Sequence, residues 1–260
     1  MRRLADAKYR VYVTGSNAKM LSKEVATTLG GRFFIYDAYP YSFKEYLAAQ
    51  HIELKEHWEY DTIQRSEVKR HLTEYFYYGG LPEILSFKNK RAMLSSLYQK
   101  IYLGDICARN NIKNDRVMNI LIKKMAESVK QPLSYNRLKN ETQKKYYFID
   151  NGLLNLFLMN SETSLLENMV AVELCRRFGK KNVFFLNAEK EIDFIVPDEK
   201  LAIQVSYSIK DETTYNREVP PLAKYAKAHN DWKCLLITYD EEGAEEGIPV
   251  VPVWKWLMKV

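Results

Sequence analysis

The chain has 260 residues, 47% of them hydrophobic and 13% aromatic, with a formal net charge of +6. That length exceeds one average domain, and the composition supplies a packed core, which excludes an intrinsically disordered chain. Cys107, Cys175 and Cys234 are too few and too far apart for a disulfide framework or a metal knuckle, and no run approaches the ~20 apolar residues of a membrane span. Residues 1–10 are charged and lack the apolar stretch of a secretory signal, so the expectation is a cytoplasmic protein without a membrane partner.

Residues 11–15 form a β-rich run that stops at Gly15, and a helical stretch follows through about residue 29. Gly30-Gly31 ends that helix, because glycine enters the left-handed region without a Cβ clash, and the extended residues 32–35 place Arg32 at a helix-to-strand junction. Residues 42–127 read as mostly helical, broken at Tyr78-Gly79-Gly80-Leu81-Pro82. Within them Asp115 caps a helix whose Val117, Ile120, Leu121, Met125 and Val129 recur at helical spacing. Pro132 ends that helix, and Ser134 caps another short one. Residues 146–149 are β-like, 165–178 form an amphipathic helix, and β-runs at 183–186, 192–196 and 201–207 are joined by short polar turns into an antiparallel meander. Residues 234–239 make a further strand.

The charge is concentrated mid-chain. Residues 109–145 hold ten Lys or Arg against three Asp or Glu, whereas the last fifty residues hold six against nine. Such a segment attracts a phosphate backbone, with Lys123, Lys124, Lys130, Arg137, Lys139, Lys144 and Lys145 as candidate DNA contacts; the alternative is a solvated helical surface.

Several strings occur in the order found in one family: YVTGSNAKML at 12–21, Gly30-Gly31-Arg32-Phe33, YPYSFKEYL at 39–47, Gly79-Gly80-Leu81-Pro82-Glu83, and residues 102–109. They resemble the prokaryotic AAA-type ATPases, and YFIDNGL at 147–153, LLEN at 165–168, EIDF at 191–194 and IQVS at 203–206 resemble the restriction-endonuclease-like domain that follows in that family. The resemblance implies a mixed α/β fold: the C-terminal edge of an AAA core over residues 1–48, a helical lid and shortened winged-helix-like region over 49–145, and an endonuclease-like domain with the meander over 146–260. The family uses ATP and Mg²⁺. No G-x-x-x-x-G-K-[ST] loop occurs in these 260 residues, so no cofactor is expected for this chain alone and the resemblance falls on the C-terminal part of such an ATPase. It makes Asn17 or Ser16 the polar group that orients the attacking water, and Arg32 an arginine finger that reaches a neighbouring subunit in a homo-oligomer or a full-length relative. The alternative is a helix cap at Asn17 and a local ion pair at Arg32. The apolar strand and acidic turn at residues 234–242 are read as a core strand rather than a magnesium-holding one.

If residues 197–200 form a four-residue loop, Val196 faces Leu201, Asp193 faces Gln204 and Glu191 faces Ser206, all four on one face. Glu167, on the preceding helix, approaches the same place. In the resembled domain this constellation holds a divalent cation, which makes Glu167 and Asp193 the candidate metal ligands, with Gln204 beside them. Gln204 stands where that pattern has an acid and Ser206 where it has a lysine, leaving Lys190 or Lys210 as a displaced lysine. The leading expectation is a DNA-associated relative of AAA ATPases that neither hydrolyses ATP by itself nor cuts DNA. A divalent-metal nuclease and an interaction module docking on a full-length ATPase are the alternatives.

Overall fold

A computed structural model describes residues 2–13, 34, 36–108, 112, 115–129, 145–187 and 191–259. They fall into two compact units, Met1–Ala38 and Tyr39–Val260. In the first, a short helix α1 (Arg2–Asp6) leads into the exposed residues 9–13, which carry no strand. The sequence expected a strand over residues 11–15, of which 11–13 are described; its helical continuation, with Ser16, Asn17 and Arg32, lies outside the described residues.

The second unit is mixed α/β. It opens with α2 (Phe43–Ala49), whose Ser42 cap accepts from the Glu45 amide while the Glu45 carboxylate accepts from Ser42, a reciprocal capping box. Helix α3 (Thr62–Tyr78) is capped by Asp61 and stops at Gly79, whose φ of 75° only glycine adopts at little cost. Helix α4 (Lys90–Gln99) runs on as a π-helical segment, Lys100–Ala108, and α5 (Asp115–Glu127) follows. In α5 the expected apolar stripe does not turn inward as a whole: Val117, Ile120 and Leu121 are exposed, and Ala126 and Val129 are buried near its end.

A short helix α6 (Asn151–Asn155) and the long α7 (Glu162–Phe178) introduce strands β1 (Phe184–Asn187), β2 (Glu191–Val196) and β3 (Leu201–Val205). Helix α8 (Glu212–Ala228) crosses to β4 (Lys233–Thr238), and β5 (Gly243–Glu245), β6 (Ile248–Pro252) and α9 (Val253–Met258) complete the chain. The sheet order is β1-β2-β3-β4-β6-β5, antiparallel from β1 to β3 and between β5 and β6, parallel from β3 through β4 to β6. The meander and its register are as read from the loop, with Val196 opposite Leu201. One core joins α7 residues Leu165, Leu166 and Val170 to Phe194, Val196, Ile203 and Val205, and also takes in Phe43, Tyr46 and Phe76 from the helical region. A second sets Val219, Leu222 and Ala223 of α8 against Ile195, Ala202 and Leu236.

The shared core gathers residues 39–260 into one compact unit. The Asp150 carboxylate accepts from Gly80 and Gly152, and Asn151 Nδ2 donates to the Phe76 and Leu165 carbonyls, tying α3 to α7. Residues 146–149, expected as β, carry no strand, because Asn168 stands in for a strand partner: its Oδ1 accepts from Phe148 N and its Nδ2 donates to Phe148 O. Among the described residues no helix is long and apolar enough to cross a membrane.

An acidic cleft with an internal lysine

Strands β2 and β3 stay paired as far as Phe194 with Ile203. Beyond that pair side chains take over the backbone rungs: Gln204 Oε1 accepts from Asp193 N, and Asp193 Oδ2 accepts from Val205 N. A cleft of about 490 Å³ opens at this point, lined among others by Glu167, Glu191, Asp193, Gln204 and Glu218. Glu167 comes from the middle of α7 and Glu218 from α8, so packing of the two helices on the sheet brings the carboxylates together.

The cation among them is Lys145. Its side chain is 2% exposed, and its Nζ lies 3.2 Å from Glu167, 2.8 Å from Glu191 and 3.2 Å from Asp193. This corrects the sequence reading of Lys145 as a DNA contact: an ammonium shared by three carboxylates and shielded from solvent reaches no phosphate. Of the expected stand-ins, Lys210 is exposed and Lys190 lies outside the described residues. Burial alone would pull Lys145 down, but Asp193, Glu167 and Glu191 hold it well above the usual lysine range. Burial pushes Asp193 up to about 7, helped by Glu167 and opposed by Lys145. Burial likewise raises Glu167, against Lys145 and a 2.9 Å hydrogen bond from Tyr147. The ammonium is thus firmly charged, while burial pushes Asp193 and Glu167 toward their neutral forms.

The two neutral substitutions are engaged within the protein. Gln204 donates through Nε2 to Glu218 Oε2, and Arg217 pairs with the same carboxylate. Ser206 is buried, and its Oγ donates to the Ser208 carbonyl, so it does not share the cleft with Glu191 as the register alone implied. Among the described residues no group of three or more His, Cys, Asp and Glu is arranged to hold a metal. The acids instead stand at ammonium hydrogen-bond distance around Nζ. Glu218 escaped the sequence reading because nothing on a helix 14 residues from Gln204 marks it as a partner.

Of the other candidates, Lys123 and Lys124 are exposed on α5, while Lys130, Arg137, Lys139 and Lys144 lie outside the described residues. The acidic turn after β4 is structural, as its sequence suggested: Asp240 accepts from Trp254 Nε1, and Glu241 accepts from Ser208 Oγ and Ile209 N. A larger open groove beside α3, lined by Arg70, Tyr77, Phe87 and Lys88, gathers no acid–base constellation, and its Lys90 is paired with Glu74.

Residues 1–47 match an AAA domain, and residues 69–192 match a domain of unknown function, DUF8612. The chain is 31% identical to the uncharacterized protein MJ1544 of Methanocaldococcus jannaschii over 317 aligned positions, covering 98% of this chain and 70% of that protein. It is 29% identical over 299 positions to an uncharacterized protein of Haemophilus influenzae, covering 96% and 71%. Both alignments are longer than the 260 residues here, so both relatives carry residues inside the matched span that this chain lacks. No solved structure matches.

Proposed function

The chain belongs to the family of the Methanocaldococcus protein MJ1544 and is ATPase-related through its AAA match, and from that premise we propose that it is a DNA-associated protein whose endonuclease-like domain does not cut. Support for the endonuclease-like reading comes from the order of elements: a helix carrying a buried Glu, three antiparallel strands, a crossover helix and a parallel strand, with acids where β2 and β3 part. The observation that carries the silence is the state of positions 204 and 206. An amide bonded to Glu218 and a hydroxyl bonded to Ser208 supply neither the second negative ligand nor the cation that offsets a developing oxyanion. Association with DNA rests on the excess of ten basic over three acidic residues at 109–145, of which Lys123 and Lys124 stand exposed.

Supercoiled plasmid incubated with the full chain and Mg²⁺ or Mn²⁺ tests the silence, and the expected result is intact plasmid. A second reading, a metal-dependent nuclease, is favoured by Lys145, which stands 3.2 Å from both Glu167 and Asp193, where a displaced lysine would act. Cleavage by the unaltered chain that disappears in both Asp193→Ala and Lys145→Ala establishes that reading and removes the silent one.

A further inference from the structure

The open groove beside α3 encloses about 770 Å³ between two walls of different build. One wall is helical: Arg70, Thr73 and Tyr77 stand at i, i+3 and i+7 on a single face of α3, with Glu74 among them. The other is the loop of residues 85–88 ahead of α4, which carries Phe87 and Lys88. Lys90 fixes that loop to the helix: its Nζ donates to the Leu85 carbonyl at 2.9 Å and the Phe87 carbonyl at 3.1 Å, and pairs with Glu74 at 3.1 Å. Glu74 is neutralised by this pairing, so Arg70 and Lys88, both exposed, give the lining a net charge of +2. Arg70 is aimed by its neighbour. A guanidinium only donates, so its 2.7 Å contact with His71 Nε2 makes the buried His71 the acceptor, and burial followed by the Arg70 charge holds that imidazole below the usual histidine range. Phe87 is 45% exposed, and the Tyr77 ring is braced edge-on by Phe76 at 5.2 Å, so aromatic surface and cations share the groove.

We propose that this groove binds single-stranded DNA, with bases stacked on Phe87 and Tyr77 and phosphates paired with Arg70 and Lys88. Charge complementarity calls for a polyanion. The exposed rings select its kind: a duplex hides its base faces within the stack and an acidic peptide offers charge without bases to stack, whereas every base of a single strand has a face to lay on a ring. The clamp of Lys90 on residues 85–87 holds Phe87 and Lys88 in place before a strand arrives, which lowers the ordering cost of binding. The inference rests on the DNA-associated reading and adds to it a surface made of residues other than 109–145.

Fluorescence anisotropy of a labelled oligothymidylate of about 12 nucleotides with the full chain, over a series of salt concentrations, tests the proposal. Phe87→Ala should weaken binding about fivefold or more with the salt slope unchanged, and Phe87→Trp should restore it, because stacking needs a ring rather than a charge. Lys88→Gln should instead lower the slope of log affinity against log salt by about 0.7, the share of one phosphate on a single strand. Both residues are exposed, and the urea midpoint of each variant checks that the chain stays folded. Single-strand affinity unchanged in Phe87→Ala and Lys88→Gln, alongside a loss in Lys123→Gln with Lys124→Gln, overturns the groove and leaves the DNA-associated reading standing. Duplex bound without any single strand does the same, whereas no binding of either overturns that reading and the groove together. A polyglutamate peptide whose binding, rather than the oligonucleotide's, is lost in the two groove variants makes this a site for acidic peptides and equally overturns the proposal.

Discussion

Asp150 joins the end of α3 to the start of α6. It is 3% exposed, its Oδ2 accepts from Gly80 N and its Oδ1 from Gly152 N, both at 2.8 Å. Asp150→Ala strands two buried amide donors, and at about 1–3 kcal/mol each the cost is about 2–6 kcal/mol, a large share of a stability of about 5–15 kcal/mol. Asp150→Asn keeps the shape but turns one acceptor into a donor that faces an N–H, so about half that cost is expected. Burial pushes the carboxyl up to about 6 from 3.8, against the pull of the Gly80 and Gly152 amides. The folded chain therefore holds a proton that the unfolded chain has released, so stability falls as pH rises through that interval, and Asp150→Asn should remove this component of the slope. Urea denaturation at about pH 4.5 and pH 7, with the m value followed for each variant, measures both effects. A loss below about 0.5 kcal/mol for Asp150→Ala, the range of a surface substitution, refutes the reasoning.

The same junction forbids a side chain at Gly79: a Cβ there would lie 2.1 Å from Asp150 Oδ1 at a φ of +75°, so Gly79→Ala should cost more than the ~1 kcal/mol of a strained backbone alone, read from the urea midpoint. Calorimetry of the 260-residue chain with ATP should show no saturable micromolar binding, and coupled assay no turnover, since no phosphate-binding loop is encoded in it. DNA binding should be largely independent of sequence, and changing Lys123, Lys124, Lys130 and Lys144 to Gln should flatten the log affinity against log salt plot by up to about 0.9 for each phosphate that is no longer neutralised. Lys145→Gln, by contrast, should leave that slope unchanged, because the side chain is buried among carboxylates; a slope that falls with it would return Lys145 to the DNA surface.

Much of the sheet was legible because its signals are local. The apolar runs at 192–196 and 201–205, joined by a polar turn containing Pro197, determine both strands and their register without reference to distant residues. Helix ends at Gly79 and Gly179 were equally local, each set by a positive φ that side chains resist. The apolar positions of α5 misled: helical spacing specifies a stripe, yet only residues near its C-terminal end are buried. Lys145 was read as surface because it closes a basic run, and its destination depends on partners 22, 46 and 48 residues away. The signal that would have found it is the opposite imbalance: three acids converging on one edge of the meander with Gln and Ser where further charge was expected. A cluster short of positive charge at that point requires a cation from elsewhere in the chain, and Lys145 opens the Tyr146-Tyr147-Phe148 stretch that packs against α7.

The same long-range logic joins strings that looked separate in the sequence. Gly79-Gly80-Leu81-Pro82 reads as a helix stop and Asp150-Asn151-Gly152 as a helix start, and each is explained locally by capping. In the fold they are two halves of one contact: the Asp150 carboxylate caps its own helix through Gly152 N and holds the end of α3 through Gly80 N, and a Cβ on Gly152 would lie 2.2 Å from the Tyr78 carbonyl. Asn168, one residue past Glu167, completes the arrangement by donating to Asn151 Oδ1 and bracketing the Phe148 backbone. Lys145 stands three residues before Phe148, and Glu167 is next to Asn168, so the polar joint that anchors the helical region lies beside the Lys145–Glu167 pair. Asn168→Ala should therefore lower the urea midpoint, because the Phe148 amide, the Phe148 carbonyl and Asn151 Oδ1 lose their partner together. A loss below about 0.5 kcal/mol, the range of a surface substitution, would show that Asn168 does not hold this joint.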